Sequence, residues 1–191
     1  MIFSTWDFFT HNKEAQKIIS LLNIITGQSV VEIGAGKGLM SFAVAKTVDD
    51  SGFVFSTEHD AEKLNKLNTK AVKLGLKNLH TAKAGEDSPN LPDKMFDAIF
   101  MCKVYHHFTQ SAKQNAAFYS HLKPGGQLAI IDFEPRWYLK MSTPKGIPAS
   151  YGGHGVYKNV VIDEVQQAGF KLKQMVDDFG GGMYCAIFEK V

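Results

Sequence analysis

Short runs of apolar, β-branched residues alternate along the chain with longer segments whose apolar residues recur at helical spacing. The short runs predict strands over residues 29–33, 53–57, 79–82, 96–101 and 127–133. The longer segments predict helices, over residues 39–48, 60–74, 110–122 and 159–168 and, before the first strand, around residues 15–22. Five β–α units in succession are expected to form a parallel sheet with helices on both faces.

The end of the chain departs from this alternation. Two further predicted strands, over residues 170–176 and 183–189, are separated by three consecutive glycines at 180–182. A connection this short has no room for a crossover helix, so these two strands are expected to pair as an antiparallel hairpin. Residues 134–157 show no periodicity and are rich in proline and glycine, and a loop of this length in a compact domain is usually functional.

Composition narrows the class of protein. The chain has 191 residues, of which 45% are hydrophobic, and 21 basic and 19 acidic residues give a net charge of +2. These values fit one globular domain and exclude disorder, and the small charge argues against a dedicated nucleic-acid binder. Two distant cysteines, Cys102 and Cys185, and the lack of His-x-x-x-His or Cys-x-x-Cys spacing predict a reducing compartment and no metal. With no signal peptide or bilayer-spanning stretch, a cytoplasmic protein without membrane insertion is expected, its oligomeric state left open.

The most informative motif is a glycine-rich loop, Gly34-Ala35-Gly36-Lys37-Gly38, between the first predicted strand and the helix that follows. Glycine lets the backbone turn sharply and approach a ligand closely, and ligands of such sheets bind at the carboxyl ends of strands. The dinucleotide pattern G-x-G-x-x-G would need a glycine where this chain has Leu39. Glu32 stands two residues before the loop, where a carboxylate suits an amine and not a pyrophosphate.

Acidic residues also follow the next two predicted strands. Glu58 stands just after the second, where a carboxylate can accept hydrogen bonds from both ribose hydroxyls. Gly85-Glu86-Asp87 follows the third and offers an acid or backbone groups near an adenine amino group. The sequence therefore supplies groups for an amine, a ribose and an adenine, without an obvious phosphate clamp.

With these motifs the chain resembles the class I S-adenosylmethionine-dependent methyltransferase family over roughly residues 28–190. The resemblance rests on VVEIGAGKG at 30–38, Glu58, the Gly85-Glu86-Asp87 step, FDAIFM at 96–101 and HLKPGGQLAIID at 121–132. It implies an α/β, Rossmann-like seven-stranded methyltransferase sheet in the order 3-2-1-4-5-7-6, with the last strand antiparallel. It also implies a single domain over 1–191: an N-terminal lid and helix (1–27), a cofactor-binding half (28–133) and a substrate side (134–191).

The resemblance also implies which residues bind the cofactor S-adenosylmethionine. The methionine end would be held by Glu32, Gly34, Ala35, Gly36 and Gly38, with Lys103 and Val104 beside it. The ribose and adenine would lie against Glu58, His59, Gly85, Glu86 and Asp87. Lys103 departs from the family, where an acidic or small polar residue is common. A lysine there would be repelled by the sulfonium unless it turned toward the cofactor carboxylate or an anionic substrate.

The expected activity is transfer of a methyl group from the sulfonium to a small-molecule acceptor by in-line displacement. Tyr105-His106-His107-Phe108 resembles the corresponding segment of small-molecule methyltransferases, including those of quinone biosynthesis. Positioning alone can drive such a reaction, so no catalytic residue is compulsory. His106, His154 and Asp132 are candidates for a general base, and each also has an ordinary structural interpretation. The alternative is a non-catalytic regulatory protein that binds the same cofactor.

Overall fold

Strands and helices alternate in the computed structural model, which describes residues 5–85, 88–143 and 145–191. The strands are β1 (Ser29–Ile33), β2 (Phe53–Glu58), β3 (Leu79–Lys83), β4 (Phe96–Cys102), β5 (Leu122–Asp132), β6 (Phe170–Gly180) and β7 (Met183–Lys190). The helices are α1 (Thr5–Leu21), α2 (Leu39–Val48), α3 (Ala61–Lys73), α4 (Ser111–His121) and α5 (Lys158–Gln167). Short 3₁₀ turns, Tyr105–His107, Trp137–Ser142 and Ala149–Tyr151, lie in the loops after β4 and β5.

All seven strands form one sheet in the order β3-β2-β1-β4-β5-β7-β6. Strands β1 to β5 are parallel, and β7 runs antiparallel to both β5 and β6. The expected order and the closing hairpin are thus confirmed. Because β4 pairs with β1 although β2 and β3 precede it in the chain, the winding direction reverses between β1 and β4. Such a reversal opens a crevice at the carboxyl ends of the strands.

Helices cover the sheet on both faces. On β1, Val30 packs into a core with α1, α2 and α3, whereas Val31 and Ile33 pack into a second core on the opposite face. This alternation follows from the two-residue period of a strand. Glu32 shares the face of Val30, so its side chain is directed toward α2 and not toward solvent. Within the described part of the chain, no helix has the length and apolar character needed to cross a membrane.

Several details differ from the sequence-based expectation. Helix α1 begins at Thr5 and not near residue 15, and β6 continues to Gly180 and not only to residue 176. In the described residues between β3 and β4 there is no helix, so the described part of the chain contains four β–α units and not the expected five. Residues 134–157, expected to be irregular, contain two 3₁₀ turns. Strand β5 begins at Leu122 and not at residue 127, with Pro124 and two glycines inside it. The pairing slips there, because Phe96 lies opposite Leu122 while Ala98 lies opposite Gln127. The proline is therefore accommodated in a bulge.

Candidate functional site

The loop between β1 and α2 needs glycine at three positions. Gly34, Gly36 and Gly38 have φ values of +71°, +56° and +72°, a left-handed conformation that other residues rarely adopt. A Cβ on Gly34 would lie 2.5 Å from Cγ2 of Val104, and one on Gly38 would lie 2.8 Å from Cγ of Leu67. A Cβ on Gly36 would meet no atom within 4 Å. The outer glycines thus allow close packing, whereas the face of Gly36 is open to an approaching ligand.

A pocket of about 290 Å³ lies over this loop, at the carboxyl ends of β1 and β4. Its lining residues come from the loop, both strand ends and the first turns of α2 and α3: Glu32, Gly34, Ala35, Gly36, Lys37, Leu39, Met40, Lys63, Cys102 and Lys103. Half of these were expected from the sequence. Sequence reasoning missed the others, although Cys102 is the last residue of β4 and Lys63 lies in the first turn of the helix after β2. Their positions at strand and helix ends were the signal that could have identified them.

Glu32 is a buried carboxyl group at the floor of the pocket. Its Oε2 accepts a hydrogen bond from the Ser41 hydroxyl on α2, and Ser41 Oγ lies 2.8 Å from Ser56 Oγ on β2. Burial raises the pKa of Glu32 to about 8, and the nearby charge of Glu58 adds to this rise. The carboxyl group is therefore largely protonated at neutral pH. A cationic group entering the pocket would favour its ionised form.

Glu58 contacts the glycine loop directly. Its Oε2 accepts a hydrogen bond from the backbone N–H of Gly36 at 2.7 Å, and its Oε1 accepts one from the N–H of Asp60 at 2.9 Å. Asp60 in turn caps α3 by accepting from the N–H groups of Glu62 and Lys63. The carboxylate of Glu58 therefore supports both the glycine loop and, through Asp60, the start of α3. The sequence did not indicate this role. Each of its oxygens retains a lone pair for a further donor.

Two further expected cofactor residues, Gly85 and His59, lie near this edge of the sheet. Gly85 follows Ala84, whose N–H donates to the backbone carbonyl of Glu58 at 3.1 Å, and His59 is exposed beside Glu58. Glu86 and Asp87 lie outside the described residues.

Lys103 and Val104 follow β4 directly and lie beside the glycine loop. Lys103 adopts a left-handed backbone with φ of +59°, and its N–H donates to the carbonyl of Ile131 at 2.8 Å. Its exposed side chain lines the pocket. Val104 packs against Gly34. The pocket is thus lined by three lysines, Lys37, Lys63 and Lys103, together with the buried Glu32.

A second polar group is centred on the buried pair His106 and Asp132. His106 Nδ1 lies 2.8 Å from Asp132 Oδ1 and 3.1 Å from Oδ2, and the backbone N–H of His106 donates to Oδ2 at 3.2 Å. The carboxylate therefore places the imidazole proton on Nδ1 and leaves Nε2 as the free acceptor.

Two more histidine rings lie against this pair. The ring centroids of His107 and His154 lie 4.0 and 5.1 Å from that of His106, and His154 Nδ1 lies 2.7 Å from Ser142 Oγ. Desolvation by the packed rings of this group, aided by the charge of neighbouring His106, lowers the pKa of His107 to about 4, and desolvation also lowers the pKa of His154. The structure thus brings together all three candidate bases, His106, His154 and Asp132, and adds His107. We call the three rings the histidine cluster.

The expectation of no metal came from the spacing of histidines along the chain. The spacing of residues along the chain cannot reveal a cluster whose members come from two separate loops, one after β4 and one after β5. Of the described Cys, His, Asp and Glu side chains, these three imidazoles form the group that could hold a metal ion.

Comparison with known proteins gives one consistent result. A family model described as a methyltransferase domain matches residues 30–126. The ubiquinone/menaquinone biosynthesis C-methyltransferase UbiE of Vibrio campbellii is 29% identical over 108 residues, which are 56% of this chain and 42% of that protein. This chain therefore matches less than half the length of that curated relative.

Solved structures resemble most of the chain. A S-adenosylmethionine-dependent methyltransferase from Aquifex aeolicus aligns with a TM-score of 0.75 and 25% identity, covering 93% of this chain and 89% of that one. Fibrillarin from Aeropyrum pernix, solved with natively bound S-adenosyl-L-methionine, aligns with a TM-score of 0.63 over 86% of this chain and 67% of that one. At 14% identity the second likeness concerns the fold alone.

Proposed function

Because this chain belongs to the class I S-adenosylmethionine-dependent methyltransferase family, we propose that it binds S-adenosylmethionine over the glycine loop and methylates a small-molecule acceptor. One observation carries the proposal. Gly36 leaves open space over a left-handed turn, and the same pocket contains the buried carboxyl group of Glu32. A cofactor that carries a cationic amine on a chain lying close to the protein backbone at Gly36 fits this combination.

The residues around the pocket fit the cofactor group by group. Glu32 would pair with the amine, and its burial makes that interaction strong because little water competes. Lys63 and Lys103 would pair with the carboxylate, and Lys103 would then be directed away from the sulfonium that is expected to repel it. Glu58 and Gly85 would face the ribose and adenine, with Glu86 and Asp87 assigned to the adenine side from the family resemblance. When bound, the cofactor supplies an electrophilic methyl group.

The acceptor would lie beyond Lys103 and Val104, where the segment after β4 meets the loop after β5. This placement retains the proposed division into a cofactor-binding half (28–133) and a substrate side (134–191). Holding the acceptor in line with the methyl group can contribute about 7–11 kcal/mol to lowering the barrier. The net charge of +2 favours a small molecule over a nucleic acid. The name of the Vibrio relative makes aromatic quinone precursors suitable first acceptors to test.

Calorimetry with S-adenosylmethionine, S-adenosylhomocysteine and NAD tests the cofactor. We expect the first two to bind and NAD to show no heat, and binding of NAD alone would overturn the proposal. Transfer of radiolabelled methyl to a filtered small-molecule extract then tests the activity. Cofactor binding without any transfer, in an extract that a known methyltransferase labels, would favour the non-catalytic alternative.

A further inference from the structure

Three imidazoles converge where the loop after β4 meets the loop after β5. One nitrogen from each of His106, His107 and His154 lies within 4.8 Å of the others. Nitrogens bound tetrahedrally to one Zn²⁺ at about 2.1 Å lie about 3.4 Å apart. His107 is exposed, and His154 lies in a glycine-rich turn, between Gly153 and Gly155. Small side-chain rotations of these two residues would therefore bring the three nitrogens to metal-binding distances.

Polar neighbours already orient two of the three rings. Asp132 occupies Nδ1 of His106, and Ser142 Oγ lies 2.7 Å from Nδ1 of His154. In both residues Nε2 is the nitrogen left for a metal. Metal-binding histidines almost always use their second nitrogen in this way, most often toward a carboxylate, because the hydrogen bond fixes the tautomer and the ring.

The surroundings favour a small coordination number. The ring of Phe133 lies 4.9 Å from that of His106 and 5.8 Å from that of His154, measured between centroids. This apolar side chain borders the cluster and offers no ligand atom. Asp132 lies on the far side of His106, where both its oxygens face His106 Nδ1.

We propose that His106, His107 and His154 bind a divalent transition-metal ion such as Zn²⁺, with Asp132 and Ser142 orienting two of the ligands. Imidazole suits zinc, copper, iron and nickel, and three protein ligands leave a fourth position open. His106 stands three residues after Lys103, which lines the glycine-loop pocket. If the proposed function holds, the open position would bind an oxygen or nitrogen atom of the methyl acceptor. The metal site itself does not depend on that function.

Untagged, metal-stripped protein titrated with Co²⁺ and then Zn²⁺ tests the site. We expect one Co²⁺ per chain, visible absorption bands of low-symmetry Co²⁺, and their loss when Zn²⁺ displaces the ion. His107→Ala and His154→Ala should each weaken Zn²⁺ binding in calorimetry at least about tenfold, and Asp132→Asn by about 10–100-fold. His80→Ala is the matched control. This exposed residue lies on the edge strand β3, where it stacks on Phe53, and its replacement should leave Zn²⁺ binding unchanged.

Wild-type protein that gives no Co²⁺ spectrum and no Zn²⁺ heat would overturn the proposal, as would unchanged affinity in His154→Ala. Circular dichroism of each variant checks folding, which is expected to survive because His107 is exposed and His154 only half-buried. Binding of S-adenosylhomocysteine to the same variants separates the two proposals. If the wild-type protein did not bind S-adenosylhomocysteine, the proposed function alone would be refuted. The metal-binding results bear on the histidine cluster alone.

Discussion

Gly36 and Gly34 have similar backbones but different surroundings. Both are left-handed, yet a Cβ on Gly34 would strike Val104 at 2.5 Å, while one on Gly36 would stand in open space. A glycine that is needed only for its backbone is expected at any turn. A glycine beside open space in a pocket, where a side chain would otherwise stand, indicates a ligand that comes close to the backbone.

Gly36→Ala should therefore separate stability from binding. The left-handed penalty predicts a loss of about 1–2 kcal/mol in unfolding free energy, and the new methyl group should weaken S-adenosylhomocysteine binding by more than about tenfold. Gly75→Ala is the matched control, since Gly75 has φ of +69° and equally open surroundings but lies after α3, outside the pocket. It should show the same stability loss in urea unfolding with unchanged affinity. Equal affinities in the two variants would remove Gly36 from the site.

The raised pKa of Glu32 makes cofactor binding dependent on pH. Because this pKa is about 8 in the cofactor-free chain, pairing with an amine requires the carboxyl group to lose a proton below that pH. The affinity for S-adenosylhomocysteine should therefore rise as the pH increases from 6 to 8, by up to about tenfold per unit, and then level off. Calorimetry across this range measures the slope. Glu32→Gln cannot ionise, so its binding should be weaker and should lose this slope.

The same group predicts an opposite trend in stability. The folded chain keeps a proton that the unfolded chain releases above about pH 4.5, so unfolding free energy should fall as the pH rises from 4.5 toward 8. Glu32→Gln should reduce this decline. A wild-type affinity that does not change with pH would contradict the buried, protonated state of Glu32.

One carboxylate on α5 holds the elements around the histidine cluster together. Oε2 of Glu164 accepts hydrogen bonds from the hydroxyl groups of Tyr105 at 2.8 Å and Tyr151 at 3.1 Å. The Tyr105 hydroxyl also accepts from Nδ2 of Asn115 on α4, at 2.8 Å. The segment after β4, the loop after β5 and two helices are thus connected at one point, and these two connecting segments carry the three histidines.

Tyr105→Phe should weaken this connection without leaving a large cavity in the core, because the ring is retained. It removes a fully buried hydroxyl group and leaves the amide of Asn115 without that partner, which predicts a loss of roughly 1–3 kcal/mol in urea unfolding. Tyr119→Phe is the comparison, because its hydroxyl makes an exposed bond to the carbonyl of Val191. That variant should change stability by less than about 0.5 kcal/mol. If both variants changed the free energy of unfolding equally, the buried hydroxyl group of Tyr105 would contribute no more to stability than the exposed one of Tyr119.

Elements with strong local signals could be predicted from the sequence. Strand β1 and helix α2 have the predicted bounds, because a β-branched run, a glycine loop and an apolar helix leave few alternatives. The start of β5 could not be predicted, since Pro124 and the glycines after it indicate a break. The pairing of Leu122 with Phe96 on β4 overrides that local signal.

The candidate site divides in the same way. Glu32 and the three glycines belong to one short motif, so the sequence alone identified them. Lys63 lines the same pocket only because α3 packs beside the loop, and Ser41 contacts Glu32 only across the α2–β1 interface. The histidine cluster depends on two distant loops meeting. Contacts of this kind become visible only once the sheet order is known.

At the scale of the whole molecule, the strand nearest the end of this sequence lies inside the sheet. β7 pairs with β5 on one side and β6 on the other, and Cys185, Ala186, Ile187 and Phe188 are buried. The pocket lies between β1 and β4, and β5 separates β4 from β7. The sheet and both cores are continuous across this distance, so we expect the cofactor-binding half to depend on β7 for its folding.

Deleting residues 181–191 tests this dependence, because it removes β7 and leaves every pocket-lining residue in place. The truncation exposes β5 and β6 along their paired edges and opens both cores. We expect loss of the cooperative thermal transition in circular dichroism and loss of S-adenosylhomocysteine binding in calorimetry. Deletion of Val191 alone, which is exposed, should preserve both. A truncated chain that still bound the ligand would show that residues 28–133 fold independently, and the single-domain interpretation would then be wrong.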